Sequence, residues 1–72
     1  MELKPVKSSN IAAIGYDSMD KKLVVKFHNG SVYEYEPVQP ETHLALINAD
    51  SIGGYFAKNI KNNKRISYER LG

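Results

Sequence analysis

From Leu23 to Tyr35 the chain alternates apolar and polar residues in two runs, LVVKF and SVYEY, separated by His28-Asn29-Gly30. Alternation of this kind marks half-buried strands, and Asn-Gly tolerates the positive φ of a tight hairpin, so the stretch predicts two antiparallel strands. Two registers compete. A two-residue Asn29-Gly30 loop sets Phe27 opposite Val32 and brings Glu34 and Glu36 against Val25 and Leu23, which places carboxylates on the apolar face. A three-residue His28-Asn29-Gly30 loop, with Gly30 left-handed as a bulge, sets Phe27 opposite Ser31, Val25 opposite Tyr33 and Leu23 opposite Tyr35. One face then carries Leu23, Val25, Phe27, Tyr33 and Tyr35; the other carries Lys22, Val24, Lys26, Val32, Glu34 and Glu36. A slip of one residue exchanges the faces, so hydrophobic matching selects the second register.

Upstream, Ile11 to Asp17 reads as a first strand, with Ala12, Ile14 and Tyr16 on one face and Ile11, Ala13 and Gly15 on the other. Gly15 signals a bulge or the close passage of another backbone. The polar DSMDK stretch, Asp17 to Lys21, is a turn that returns this strand antiparallel to the next.

Downstream, Pro37 and Pro40 end the sheet and open a helix, since proline fits a first helical turn and not a central strand. Glu41 suits the helix dipole there. Leu44 and Ile47 form its apolar stripe, widened by Ala45, Leu46 and Ala49. Ser51 is an N-cap for a second helix, in which Ile52, Tyr55, Phe56 and Ile60 recur at helical spacing. Gly53 and Gly54 each cost that helix about 1 kcal/mol against alanine, which implies a packing or backbone reason for them.

After Asn62-Asn63, the residues Ile66, Tyr68 and Leu71 suggest an extended tail able to cover a sheet edge. The expected fold is α+β: a three-stranded antiparallel meander, with the tail as a candidate short fourth strand. Helices near residues 40–50 and 52–61 cover one face. Residues 1–9 are an extended lead-in to this single domain, 1–72.

Seventy-two residues leave room for one core only. The absence of cysteine excludes disulfides, thiolate metal sites and a cysteine nucleophile. No apolar run is long enough to span a bilayer and the first ten residues lack a signal-peptide core, so a soluble cytoplasmic protein with no membrane partner is expected.

The net charge is only +2, but it is unevenly distributed. From Tyr55 onward Lys58, Lys61, Lys64, Arg65 and Arg70 stand against Glu69 alone, a local net of +4. With Tyr68 interleaved, this stretch suits phosphate contacts and one stacking ring, which makes those six residues the candidate nucleic-acid site. An ordinary solvated surface is the competing reading.

Other candidates are weaker. Tyr33 and Tyr35 could stack bases, but they share the one strongly apolar face and are assigned to the core. Ser51-Ile52-Gly53-Gly54 could meet a phosphate through backbone N–H groups, yet it does not follow a strand and lacks the Lys-Ser/Thr ending of a P-loop. His28 and His43 have no metal-ligand spacing, and Glu34 and Glu36 are expected to pair with lysines rather than act as an acid/base couple. No enzyme activity, metal or cofactor is expected.

Taken in order, Ser8-Ser9-Asn10-Ile11, Gly15-Tyr16-Asp17, Leu23-x-Val25-x-Phe27, Gly30, Tyr33-x-Tyr35, Pro40, Ser51-x-Gly53-x-Tyr55-Phe56, Ile60 and Tyr68-x-Arg70-Leu71 resemble the KTSC domain. That family is named after the C-terminus of certain lysyl-tRNA synthetases and also occurs as small stand-alone bacterial and phage-borne proteins. Ala57, where the family often has Asn, and the Lys61–Arg65 stretch depart from its pattern. The resemblance implies a small binding module with no settled activity, for which RNA binding has been proposed. The expected function is therefore a non-catalytic module that binds RNA or single-stranded nucleic acid through its basic tail. The alternative is a protein-interaction or homo-oligomerisation module.

Overall fold

The Leu23–Tyr35 hairpin adopts the bulged register. In the computed structural model, which describes all 72 residues, β3 (Lys22–Phe27) and β4 (Val32–Glu36) pair Leu23 with Tyr35, Val25 with Tyr33 and Lys26 with Val32. Gly30 takes φ +93°, a left-handed conformation that L side chains rarely adopt. Its N–H donates to the Phe27 carbonyl, and the Phe27 N–H donates to the Ser31 carbonyl, both at 2.9 Å. On the outer face Lys22 reaches Glu34 at 3.8 Å and Glu36 at 3.6 Å.

The sheet has five antiparallel strands in sequence order, not three or four. β2 (Ile11–Asp17) pairs with β3, and an irregularity between Ile11 and Ala13 turns Ile11 onto the core side, opposite Phe27. Strict alternation had put Ile11 on the other face; the bulge restores its apolar side chain to the interior. The lead-in is not only extended, because Lys4–Pro5 forms a short edge strand, β1, against Ile14 and Ala13. An edge tolerates Pro5, which has no N–H to offer. Gly15 explains how the lead-in lies down. A Cβ there would meet Leu3 Cδ2 at 2.7 Å and the Glu2 carbonyl oxygen at 3.0 Å, so this glycine lets the N-terminal backbone cross the sheet's outer face. The tail supplies the fifth strand, β5 (Ser67–Arg70), paired to β4.

Both helices cover the inner face. α1 (Pro40–Ile47) begins with Pro40 and carries Glu41 in its first turn. Its buried side chain is Leu46, while Leu44 and Ile47 are 56% and 39% exposed, which corrects the expected stripe. Leu46 reaches the core together with Val38, which precedes the helix and whose carbonyl accepts the Tyr16 hydroxyl. His43 stacks on Tyr16 with centroids 4.4 Å apart, and burial holds its pKa below the ordinary value. α2 (Ile52–Phe56) is capped by Ser51, whose Oγ accepts the Gly54 N–H at 3.1 Å.

Both glycines of α2 have the expected packing reason. A Cβ on Gly53 would meet Asn10 Oδ1 at 2.5 Å, and one on Gly54 would meet Ser51 Oγ at 2.9 Å. From Ala57 to Lys61 the helix continues as a π-helical turn, closed by the Asn62 N–H on the Ala57 carbonyl at 3.1 Å. The core holds Ile11, Leu23, Val25, Val38, Leu46 and Ile60, all almost fully buried.

Candidate nucleic-acid interface

Residues directly opposite on paired strands point to the same face. Tyr68 pairs with Tyr35 and Arg70 with Tyr33, so both tail residues join the inner face beyond the reach of the helices. Three tyrosine rings therefore meet: Tyr33 and Tyr35 are 6.3 Å apart at 27°, and Tyr68 lies 6.0 and 6.2 Å from them. Tyr35 is 5% exposed and belongs to the core, Tyr33 is half-buried, and Tyr68 is 70% exposed. The expectation that Tyr33 and Tyr35 pack inward holds; Tyr68 is the ring left open to solvent.

Between β5, the hairpin loop and the end of α2 runs an open groove of about 500 Å³. Its aromatic lining is Phe27, Tyr33, Tyr35, Phe56 and Tyr68. Phe56 holds the rings in place edge-on, 5.7 Å from Phe27 and 5.1 Å from Tyr35. The polar lining comes from Asn10, Asn29, Ser31, Lys61 and Asn62. The π turn matters here. Its i to i+5 bond sets Asn62 above Ala57, so Ala57, Lys61 and Asn62 all line the groove.

The six candidate residues are distributed as follows. Lys61 and Tyr68 share the groove. Arg70 lies on the same face of β5, its Nε donating to the Gly72 carbonyl at 3.0 Å. Lys58 stands exposed on the π turn, and Lys64 and Arg65 are exposed in the connection to β5, where Asn63 Oδ1 accepts the Arg65 N–H. None of the five cations pairs with a side-chain carboxylate, although Arg70 is engaged with the Gly72 oxygen; the salt bridges between side chains are those of Lys22. The outer face of the same edge is acidic, with Glu34 opposite Glu69 and Glu36 beside them. At this edge the three glutamates lie on the outer face, where Lys22 pairs with two of them, while Lys61 and Arg70 lie with the tyrosines on the inner face.

The sequence had not pointed to Phe27, Asn10, Asn29, Ser31 or Asn62. No local signal marks them, since the groove arises from chain segments that only the tertiary fold brings together. His28 Nε2 lies 3.0 Å from the Ser8 carbonyl oxygen, and His43 stacks on Tyr16; neither is ion-paired with a carboxylate. Burial, aided by the neighbouring Tyr33 and Tyr68 hydroxyls, pushes the Tyr35 phenol up to about 12. No helix is long and apolar enough to cross a membrane.

The KTSC domain family matches residues 7–63. An uncharacterised protein of Stutzerimonas stutzeri is 39% identical over 61 residues, 85% of this chain and 86% of that protein. A lysine–tRNA ligase of Nostoc punctiforme is 39% identical over 69 residues, which span 96% of this chain but only 12% of the ligase. The crystal structure of a KTSC domain protein from Yersinia pestis superposes with a TM-score of 0.86 at 29% identity, covering 99% of this chain and 97% of that one. With most of its length matched and its fold shared, this chain belongs to the KTSC domain family.

Proposed function

We propose that the domain is a non-catalytic module that binds single-stranded nucleic acid, RNA in the first place, through the stretch from Lys58 to Arg70. The observation that carries this reading is a tyrosine-lined groove that holds Lys61, with Arg70 on the same face of the sheet, Lys58, Lys64 and Arg65 exposed along the same stretch of chain, and Glu34, Glu36 and Glu69 on the opposite face. A polyanion is attracted to the cations of the tail, while Lys22 partly neutralises the carboxylates of the outer face. The occurrence of a similar segment within lysine–tRNA ligases supports RNA as the partner.

Titration of labelled single-stranded RNA and DNA at several salt concentrations tests the proposal. Affinity should fall steeply with salt. Changing Lys61, Lys64 and Arg65 together to Gln should weaken binding about tenfold or more and flatten the dependence of log K on log salt by about 2 units, since each phosphate contact on a single strand contributes ~0.7. Binding that is absent or untouched by the triple substitution defeats the proposal. A protein-interaction or self-association role draws on β5, an edge strand with all four residues exposed. Size-exclusion mass measurement on the same samples separates the two, because a salt-insensitive dimer without nucleic-acid binding would favour the second.

A further inference from the structure

The lining of the groove carries more information than its charge. Asn29 Oδ1 accepts from both the Ser31 N–H at 3.0 Å and the Ser31 hydroxyl at 2.6 Å, which fixes the amide orientation and leaves its NH₂ group free. Asn10 is fixed in a related way. Ser8 Oγ accepts the Ile11 N–H at 3.3 Å, so its hydroxyl proton goes to Asn10 Oδ1 at 3.1 Å, and the Asn10 NH₂ is also free. With the Lys61 ammonium, these amides set three N–H donor groups beside an exposed tyrosine ring, and the Ser31 oxygen, its proton committed to Asn29, is a fixed acceptor among them.

Resting on the nucleic-acid reading above, we infer that this groove is a subsite for one unstacked base that presents carbonyl oxygens, uracil above all. The base ring lies against Tyr68, its oxygens accept from the Asn10 and Asn29 amides, and the adjoining phosphate meets Lys61. Uracil offers two carbonyl acceptors and no amino group. Cytosine has the same ring size but replaces one carbonyl with an amino donor, which would confront donors already in place. The occupant is a base on a phosphate chain rather than a neutral apolar group, because Lys61 lies in the groove and Arg70 on the same face.

The experiment compares oligouridine, oligocytidine and an abasic phosphodiester chain of equal length against the full-length protein. Oligouridine should bind about fivefold or more tighter than oligocytidine, and the abasic chain weakest. Tyr68→Ala should lower oligouridine affinity about tenfold, towards that of the abasic chain, while Tyr68→Phe retains it. Tyr68 is exposed, and circular dichroism checks that both variants are folded. Asn10→Asp keeps the acceptor for Ser8 and replaces the NH₂ with an oxygen, so the preference for uridine over cytidine should collapse. Equal binding of oligouridine and oligocytidine, or of oligouridine and the abasic chain, overturns the subsite while leaving the basic stretch as the binding surface. Binding of none of the three removes both.

Discussion

Replacing Phe56 with alanine is expected to lower the thermal unfolding midpoint by about 15 °C or more. The side chain is 2% exposed and its ring meets both Phe27 and Tyr35 edge-on. Its loss removes the transfer energy of a phenyl group and leaves a cavity that β-sheet and helix backbones cannot close, together about 3–5 kcal/mol. In a domain of this size each kcal/mol corresponds to roughly 4–8 °C. Total stability is itself only about 5–15 kcal/mol, so much of the folded population is at stake. Leu44→Ala is the control. Leu44 is 56% exposed, and its truncation should change stability by no more than about 0.5 kcal/mol. Calorimetry or denaturant melts of the two variants check this, and equal losses would contradict the burial pattern of α1 and α2.

The second large effect is alkaline. A phenol whose pKa is raised on folding holds its proton more tightly in the folded state, so its contribution is complete below the unfolded value of 10.0 and is lost as pH rises towards about 12. Two units correspond to about 3 kcal/mol. Tyr16 and Lys22 are raised as well and act in the same direction, Tyr16 chiefly through burial and Lys22 through Glu34 and Glu36. Tyr35→Phe isolates the one group: denaturant melts between pH 9 and 11.5 should show a distinctly shallower loss in the variant than in the parent. Parallel pH profiles would show that the phenol ionises equally easily in both states.

How much of this was legible in the sequence depended on how local the cause was. The hairpin register follows from residues 23 to 35 alone, because one register buries carboxylates and the other does not, and Gly30 supplies the left-handed position. Ser51 as a cap was likewise readable from its neighbours, whereas the reason for Gly53, the close approach of Asn10, comes from across the fold. Nor was the apolar stripe of α1 readable. Leu44 and Ile47 match a helical spacing as well as Leu46 does, and which of them is buried depends on the side that the helix turns to the sheet, where Leu46 joins the buried Val38. β1 escaped notice because two residues, one of them proline, carry no alternation. The groove was the least legible feature. Tyr68 was marked as a stacking ring, but its position beside Tyr33 and Tyr35 depends on β5 pairing with β4 across the whole helical segment. Lys61 and Asn62 join it only because the helix widens by a residue at Ala57.

The order of the strands in the sheet is their order in the chain. Four of the five strands therefore close against a neighbour reached through a short connection, which costs little loop entropy and favours rapid pairing. The exception is β5, separated from β4 by residues 37–66 and both helices. Its docking is expected on the native side of the folding barrier. Truncating Ile66, half-buried against the core just before β5, should accelerate unfolding and leave the folding rate nearly unchanged, whereas Val25→Ala should slow folding. Chevron kinetics distinguish the two. The groove, one wall of which is β5, is then the last part of the molecule to form and the first to open.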